Sequence, residues 1–368
     1  MNDRTIIERS VVIATPSTPI NALAAAFAPW GGHHEYDWDT QKPDQSLEQL
    51  REILDIAPRA IVTIAKPYEK SIRQIASTAK KKGFQVLTLD PEWSEIARLA
   101  KEPFEIIPMA LDRRHDNGPF DIIGDVHGCA LELMDILVEM GHAKEGWEEA
   151  PESEWSDYLI EHSEGRKTIL LGDLVDRGPM NLATMHIARR LEELGGLRVL
   201  GNHDAKVGKW LNGRDVSMGP HQQPTMDEFK HMSAEDRAAW GNWMLDTQAH
   251  YLLDEGRLVV AHAGMDEANL GRDTGGAQSM ALYGKPSKCG GTDEDGFPLS
   301  DDWALEYAGE PVVVHGHVVY DDPRETNGKV VAVDTGCVFG GRLTAYRWPE
   351  RAYVSVKARR EWWERRRK

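Results

Sequence analysis

Five short blocks that place Asp, Asn or His beside glycine recur in this chain, and they constrain its fold more than any other feature. They are GDVHG from Gly124, GDLVDRG from Gly172, GNHD from Gly201, AHAG from Ala261 and HGHV from His315. The apolar, β-rich runs FDII, TILL, LVV and PVVV lead into four of them. Polar side chains that can bind metal ions are therefore predicted to stand at strand ends.

The residue types in these blocks indicate a site for two metal ions. Asp125 and His127 are two residues apart, so at an extended strand end their side chains point the same way. Asp173 supplies a carboxylate able to bridge two ions, which a two-metal site needs. The nitrogen and oxygen donors include no thiolate, which suits divalent Mn, Fe, Zn or Ni, with manganese favoured. The predicted metal ligands are Asp125, His127, Asp173, Asn202, His262 and His317.

The histidines of the last two blocks each leave an alternative open. Taken singly, His262 and His317 also fit ordinary buried histidines that bind no metal. His315 lies two residues before His317 and is predicted to project to the same side of the strand, so either is a candidate ligand. We prefer His317, because it follows Gly316, beyond the apolar run.

A pair of divalent ions that share a water indicates a phosphoesterase, because the ions lower the pKa of that water and bind phosphoryl oxygens. Arg177, four residues after Asp173, is predicted to bind the phosphate; a surface salt bridge is the alternative. His203 is the candidate general acid for the leaving oxygen. Either Asp204 or Asp176 is available to hold its tautomer. The predicted catalytic residues are His203, Arg177 and Asp204.

Composition narrows the class of protein. The 60 acidic against 43 basic side chains give a formal charge of −17, which argues against a general nucleic-acid coat protein. Cys129, Cys289 and Cys337 are an odd, scattered set without a CxxC pair, so we expect structural thiols in a reducing compartment. The N-terminus MNDRTIIERS lacks the apolar stretch of a signal peptide, and no apolar run approaches membrane-spanning length. We therefore expect a soluble, cytoplasmic protein.

Three regions are predicted along the chain. Residues 1–112 alternate strand-like and helix-like segments, which indicates a small parallel α/β domain, and the turn-rich LDRRHDNGP ends it. Residues 113–358 carry the five blocks, and residues 359–368 form a basic tail with two interleaved tryptophans. We expect a solvated, partly disordered tail, with a nucleic-acid or partner contact as the alternative. Residues 144–166 are either a cover for one edge of the site or a loop, and residues 226–250 are a helical cap candidate.

These blocks resemble the calcineurin-type metallophosphoesterases, in the branch that contains Ser/Thr protein phosphatases and bacterial diadenosine tetraphosphatases. The resemblance implies an α/β fold of two packed mixed β-sheets flanked by helices, with the metals at the strand ends. It implies that Arg177 and His203 contact the phosphate of the substrate. It assigns one metal to Asp125, His127 and Asp173, and the other to Asp173, Asn202, His262 and His317.

A closer resemblance covers most of residues 112–358. GPFDIIGDVHGC, HYLLDEGRLVVAHAG, ALYG with a following TDEDGFP, and VDTGCVFGGRLTAYRWPER are similar to the phosphatase module of bacterial polynucleotide kinase-phosphatases. That module removes 2′,3′-cyclic and 3′ phosphates from RNA ends, which implies RNA ends or nucleotides as substrate. By the same resemblance, Asp334 and Arg342 would shape the substrate pocket. The usual GHTP of the family reads GHVV here.

The N-terminal domain stands where that relative carries a P-loop kinase. Its segment ATPSTPINALA has neither the glycines nor the Lys-Ser/Thr pair that cradle ATP phosphates. We therefore expect a degenerate kinase-like domain that binds no ATP. Two alternatives stay open: a Ser/Thr phosphoprotein phosphatase or diadenosine tetraphosphatase on the same metal core, and a scaffold or regulatory protein that binds a partner protein through residues 1–112.

Overall fold

The computed structural model describes residues 5–7, 10–14, 34–38, 42–56, 59–64, 69–81, 84–88, 105–107, 110–287, 290–291 and 301–364. The chain divides into two compact units. The first is Met1–Asp112 together with Arg272–Gly275, and the second is Arg113–Gly271 together with Gly276–Lys368.

The first unit contains a four-stranded sheet whose neighbouring strands are all parallel. Its order is β3-β4-β2-β5, formed by β2 (Ser10–Ala14), β3 (His34–Trp38), β4 (Arg59–Ile64) and β5 (Gln85–Thr88). Two helices, α1 (Pro43–Ile56) and α2 (Glu69–Lys81), and the short parallel pair β1 (Thr5–Ile7) and β6 (Glu105–Ile107) accompany it. The predicted parallel α/β fold is confirmed. The segment ATPSTPINALA runs, after Ala14, outside the described residues.

The second unit contains two six-stranded sheets. The first sheet has the order β10-β9-β8-β17-β16 with β18 beside β17, and the second has the order β14-β15-β13-β12-β11-β7. The strands of the first are β8 (Phe120–Ile123), β9 (Lys167–Leu170), β10 (Leu197–Arg198), β16 (Asp334–Thr335), β17 (Arg342–Trp348) and β18 (Ala352–Lys357). Those of the second are β7 (Asp112–Arg113), β11 (His250–Leu253), β12 (Leu258–Ala261), β13 (Val312–His315), β14 (Arg324–Thr326) and β15 (Val330–Ala332).

Six described α-helices belong to this part of the chain. They are α3 (Ala130–Met140), α4 (Asn181–Glu193), α5 (Asn202–Leu211), α6 (Gln223–Phe229), α7 (Ala234–Leu245) and α8 (Gly275–Tyr283). The predicted helical character of residues 226–250 is thus confirmed for α7 and the end of α6. Among the helices described here, none has the length and apolar content needed to cross a bilayer.

The two sheets pack face to face, as the period-two pattern of their strands dictates. In β12, Leu258 and Val260 enter the core between the sheets, while Val259 and Ala261 enter a second core on the outer face. Helices α3 and α4 cover the outer face of the other sheet. The predicted fold of two packed mixed sheets flanked by helices is confirmed.

Parallel pairing brings the five sequence blocks to one edge of these sheets. Strands β8, β9 and β10 are parallel neighbours, and so are β12 and β13. A block begins at the last residue of β12 and of β13, directly after β8, and within three residues after β9 and β10. Because the carboxyl ends of parallel strands lie at the same edge, the side chains that follow them converge there.

Residues 144–166 pack on the helical layer. They form two short 3₁₀ turns, Trp147–Glu149 and Glu152–Tyr158. The indole rings of Trp147 and Trp155 meet edge to face at 5.0 Å and belong to the same hydrophobic core as the buried residues of α3 and α4. The insertion therefore completes the hydrophobic core on this face of the sheet.

Residues 359–364 are attached to the protein, although Arg359, Arg360, Glu361 and Glu364 are exposed to solvent as expected for a solvated tail. The carboxylate oxygen Oε1 of Glu132 accepts hydrogen bonds from the backbone N–H of Arg359 (2.9 Å) and from the indole N–H of Trp362 (2.7 Å). The backbone N–H groups of Trp362 and Trp363 donate to the carbonyl oxygen of Val338. The tryptophans that suggested a nucleic-acid contact thus fasten this segment to the protein. Residues 365–368 lie outside the described residues.

Asp121 on β8 is the centre of a buried ion network. Its carboxylate accepts hydrogen bonds from His142 (2.9 Å), Arg166 (3.0 Å) and Arg347 (2.9 Å). Burial alone would raise the pKa of Asp121, but the hydrogen bonds from His142, Arg347 and Arg166 outweigh it and hold the pKa well below its usual value. The network ties β8 and β17 to the segment that precedes β9.

The Asp121→Asn variant is expected to lower the free energy of unfolding by about 3 kcal/mol, because it leaves the buried Arg166 without this partner. Since the pKa of Asp121 is lower in the folded state, its contribution is complete above pH ~4 and is lost as the pH falls toward the folded-state pKa. Urea denaturation at pH 7 and pH 3 measures both effects. Glu193→Gln, which breaks an exposed pair with Arg190, is the control, expected to cost at most about 1 kcal/mol. Equal losses in the two variants at pH 7 would contradict this role.

Candidate metal centre

Tight turns at the strand ends position the candidate ligands. His127 and Asp173 both have a backbone φ of 46°, and His317 has a φ of 66°. This left-handed conformation is unusual for residues with side chains, and it is frequently found at functional sites. Glycine at position 172 allows the second and third blocks to approach each other closely. A Cβ atom there would lie 2.5 Å from the backbone nitrogen of Gly201.

The first cluster consists of His127, Asp173 and His203, whose potential ligand atoms lie within 4.8 Å of one another. The Nδ1 atom of His127 lies 2.9 Å from the carbonyl oxygen of Val175, and since a carbonyl only accepts, Nδ1 carries the proton. Its Nε2 atom therefore presents a lone pair, 3.6 Å from Oδ2 of Asp173. The guanidinium of Arg177 donates to this Nε2 atom at 2.6 Å, so a positive charge already stands where a cation is expected.

The second cluster consists of Asp173, His262 and His317, again with ligand atoms within 4.8 Å of one another. The Nδ1 atom of His262 donates to the carbonyl oxygen of Leu171 at 2.9 Å, which leaves its Nε2 atom as a lone-pair donor to metal. This Nε2 atom faces Oδ1 of Asn202 at 2.7 Å, Nδ1 of His317 at 3.1 Å and Oδ2 of Asp173 at 3.4 Å.

The protonation states fit metal binding. Burial and the neighbouring His317 hold the pKa of His262 well below its usual value. Burial, with His315 and Arg177 nearby, lowers the pKa of His317 to about 4. Both imidazoles are thus neutral near pH 7, as metal ligation requires. The carboxylate of Asp173 borders both clusters.

Asp125 faces the same space from the end of β8. Both of its carboxylate oxygens lie 3.1 Å from the backbone N–H of His317, and the side chain is 4 % exposed. Burial and the negative charges of Asp334 and Asp173 raise the pKa of Asp125 well above its usual value. Acidic groups held this close together in a buried site are stabilised by a bound cation.

Gly316 leaves space for the carboxylate of Asp125. The sequence blocks did not reveal this role. A Cβ atom at position 316 would lie 1.9 Å from Oδ1 of Asp125. We expect Gly316→Ala to displace Asp125 and to reduce the number of metal ions bound per chain, which metal analysis after gel filtration measures. Gly275→Ala is the control, because a Cβ there meets nothing within 4 Å. Full metal content in Gly316→Ala would contradict the assignment of Asp125 as a ligand.

His203 is held by Asp176, and the expectation that Asp204 serves as its catalytic partner is corrected. The Nδ1 atom of His203 donates to Oδ2 of Asp176 at 2.6 Å. The Asp204 carboxylate instead accepts the backbone N–H groups of Leu174 (2.9 Å) and Gly201 (3.3 Å). Asp204 occupies the third position of α5, where an acidic side chain satisfies backbone donors at the start of a helix. It therefore holds the second and third blocks together.

Two further residues, Gln222 and Thr225, support this pair, and they were missed because they lie outside every block. Gln222 Nε2 donates to Oδ2 of Asp176 at 2.8 Å, and the hydroxyl of Thr225 donates to Oδ1 at 2.7 Å. Burial raises the pKa of Asp176 to about 6, although these two hydrogen bonds oppose the shift. Their only sequence signal is the polar stretch that precedes the predicted cap.

His315 and His317 point to different places, so the expectation that they share one side of the strand is wrong. His315 ends β13 and packs against the indole of Trp303, with ring centroids 5.3 Å apart, and its Nδ1 atom bonds the carbonyl oxygen of Gly316. The φ of 66° at His317 turns that side chain toward His262 instead. The preference for His317 as the candidate ligand agrees with this geometry.

The two residues predicted to shape the substrate pocket lie in different settings. Asp334 is 5 % exposed, close enough to influence Asp125, and its Oδ1 accepts the backbone N–H of Gly336. Arg342 forms an ion pair with Asp322 and donates to the carbonyl oxygen of Asp321, on the loop after His317. Arg177 stacks on the ring of Phe339, with its guanidinium carbon 5.4 Å from the ring centroid.

The geometry fits two divalent cations. Nε2 of His262 faces Oδ1 of Asn202, Nδ1 of His317 and Oδ2 of Asp173 at 2.7–3.4 Å, and Nδ2 of Asn202 is buried with no hydrogen-bond partner among the described residues. A divalent cation can take these nitrogen and oxygen atoms as ligands. One shared carboxylate joins the two clusters, as a binuclear site requires. The site is thus that of a metal-dependent hydrolase.

Comparison with known proteins identifies the family. Residues 118–321 match the family described as calcineurin-like phosphoesterase, and the chain belongs to that family. Among its relatives, the bis(5′-nucleosyl)-tetraphosphatase PrpE (asymmetrical) of Geobacillus sp. strain WCH70 is 35 % identical over 241 residues, which is 64 % of this chain and 93 % of the relative. The protein of the same name from Bacillus subtilis strain 168 is 35 % identical over 243 residues, with the same two shares. The chain is accordingly a metal-dependent phosphoester hydrolase.

Proposed function

We propose that this protein hydrolyses dinucleoside tetraphosphates asymmetrically, to a nucleoside triphosphate and a nucleoside monophosphate. The activity named for the relatives supports this substrate, since the chain aligns with 93 % of their length. The observation that carries the hydrolytic site is the Asp173 carboxylate, which borders both histidine clusters. Asymmetric cleavage leaves one phosphate on one product and three on the other.

The proposed metal ligands are those that the family resemblance implies; all of them except Asp125 and Asn202 belong to the two clusters. Asp125, His127 and Asp173 would hold one ion. Asp173, Asn202, His262 and His317 would hold the other. When bound, divalent ions supply an activated water and neutralise charge on the phosphoryl oxygens. We keep manganese as the proposed metal.

Arg177 and His203 supply the remaining chemistry in this proposal. The Arg177 guanidinium, within 2.6 Å of the ligand atom of His127, is placed to donate to a phosphoryl oxygen as negative charge builds there. His203 uses Nδ1 to bind Asp176, so Nε2 is the atom that delivers a proton to the leaving oxygen. Gln222 and Thr225 hold the Asp176 carboxylate and thereby the imidazole plane.

Phosphate removal from RNA ends, from a 2′,3′-cyclic or a 3′ phosphate, is the second candidate. The stretch VDTGCVFGGRLTAYRWPER favours it, because it is similar to the phosphatase module of polynucleotide kinase-phosphatases and carries Asp334 and Arg342. The negative charge of Asp334 acts on Asp125, which supports a position for Asp334 near the substrate.

A substrate comparison tests both candidates. The full chain with added Mn²⁺ is assayed on diadenosine tetraphosphate, an RNA with a 2′,3′-cyclic or 3′ phosphate end, and a phosphoserine peptide. We expect the highest kcat/KM on the tetraphosphate, with ATP and AMP as products. A preference for the RNA end would favour the second candidate, and a preference for the peptide would favour a phosphoprotein phosphatase. Parallel assays with Fe²⁺, Zn²⁺ and Ni²⁺ test the metal, and a lack of hydrolysis under all conditions would refute every candidate.

Partner binding through residues 1–112 is the proposal of another class. It is motivated by ATPSTPINALA, which lacks the residues of a phosphate-binding loop although the unit keeps a core of its own, formed by Val11, Leu50, Leu54, Ala60, Val62, Ile75, Ala79 and Phe84. If a chain without residues 1–112 keeps the stability, assembly and substrate range of the full chain, this role is refuted.

A further inference from the structure

A third group of metal-ligand atoms lies next to the first block, outside the two histidine clusters. The thiols of Cys129 and Cys337 and the carboxylate of Glu132 place one ligand atom each within 4.8 Å of one another. The three residues are at most 2 % exposed. None of them belongs to the two histidine clusters.

The local structure brings these residues together from two parts of the chain. Cys129 is the N-cap of α3, and Glu132 lies three residues later, so the two side chains share one face of the first turn. Cys337 comes from the turn between β16 and β17. The site therefore joins the loop that follows Asp125 to the loop that follows Asp334.

One oxygen of the Glu132 carboxylate has a hydrogen-bonding partner and the other has none. Its Oε1 atom accepts two hydrogen bonds, from the backbone N–H of Arg359 and the indole of Trp362. Its Oε2 atom is buried and has no hydrogen-bond partner among the described residues. An unpaired, buried carboxylate oxygen is costly, and buried charges normally coordinate metals or pair with cations.

We propose that Cys129, Glu132 and Cys337 form a binding site for one thiophilic divalent cation, Zn²⁺ being the representative. Two thiolates and a carboxylate are typical zinc ligands. Binding replaces two thiol protons by one doubly charged ion, so the net charge of the buried site does not change, while Oε2 of Glu132 gains its partner. The Cys129 thiol donates to the carbonyl oxygen of His127 at 3.7 Å, which makes this oxygen a candidate further ligand. This site is structural, and it goes beyond the proposed function.

Cobalt spectroscopy tests this site separately from the catalytic ions, whose proposed ligands contain no sulfur. The full chain, stripped with chelator and titrated with Co²⁺, is expected to develop thiolate-to-cobalt charge-transfer absorption in the near ultraviolet, which Zn²⁺ displaces. Cys129→Ser and Cys337→Ser should lose this absorption. The matched control Cys289→Ser, which removes the third cysteine of the chain, should keep it.

Metal content gives the second measurement. The Cys129→Ser/Cys337→Ser double variant should bind one zinc ion fewer per chain than the unaltered protein. Glu132→Gln, which keeps both sulfurs and the side-chain shape, should weaken binding about 10-fold or more. Absence of the absorption in the unaltered chain, its persistence in both single variants, or equal zinc content in the double variant would overturn the proposal. If the serine variants do not fold, the unaltered chain and Glu132→Gln decide it.

Discussion

Replacing Asp173 by Asn is expected to lower kcat/KM at least about 10³-fold, because one carboxylate serves both clusters and metal ions contribute several kcal/mol to phosphoryl transfer. The carboxylate of Asp173 lies 3.6 Å from the Nε2 atom of His127 and 3.4 Å from that of His262. An amide carries no charge and cannot bridge two cations. Hydrolysis of p-nitrophenyl phosphate with Mn²⁺, together with metal analysis of each protein, measures the effect.

The control for this variant is Asp227→Asn, which removes a carboxylate from an exposed pair with Lys230. It should keep full activity and metal content. Thermal unfolding of both proteins after chelation separates loss of metal from loss of fold. Activity of Asp173→Asn within 10-fold of the unaltered chain would refute the shared role of this carboxylate.

Replacing His203 by Ala is expected to reduce the rate by roughly 10²–10⁴-fold on substrates with a poor leaving group. A general acid protonates the leaving oxygen, so its loss matters less when that oxygen leaves readily as an anion. The ratio of rates on p-nitrophenyl phosphate and an alkyl phosphate should therefore rise sharply in His203→Ala. Asp176→Asn should show the same trend with a loss of about 10–100-fold, because Asp176 orients the imidazole at 2.6 Å.

Asp204→Asn is the matched control, since Asp204 is a buried carboxylate one residue from His203 that bonds backbone groups. It should lower thermal stability and leave the ratio of rates on the two substrates unchanged. The same ratio in His203→Ala as in the unaltered chain would show that His203 does not protonate the leaving group.

Local sequence pattern was sufficient to predict that the candidate ligands converge. An apolar run that ends in a polar residue beside glycine marks the end of a buried strand, and parallel strands end at one edge. Asp125, Asp173 and His262 meet for this reason, although they are far apart along the chain. The two packed sheets were predicted through the family resemblance.

Contacts between distant segments could not be predicted from the same pattern. Asp204 is adjacent to His203 while Asp176 lies 27 residues before it, and only the folded backbone decides that Asp176 meets the imidazole. Gln222 and Thr225 reach Asp176 from a segment without any motif. The packing of Trp362 depends on Glu132, which precedes it by 230 residues.

Five residues of the candidate site, His127, Asp173, Asp176, Arg177 and His317, hold a left-handed backbone that only glycine adopts without strain. Each such residue costs roughly 1–3 kcal/mol. Glycine at Arg177 or His317 would relieve that strain and at the same time remove a side chain that the chemistry needs. A library of variants sorted only for heat resistance would therefore accumulate inactive proteins, and laboratory evolution of this scaffold needs turnover as a selection criterion in every round.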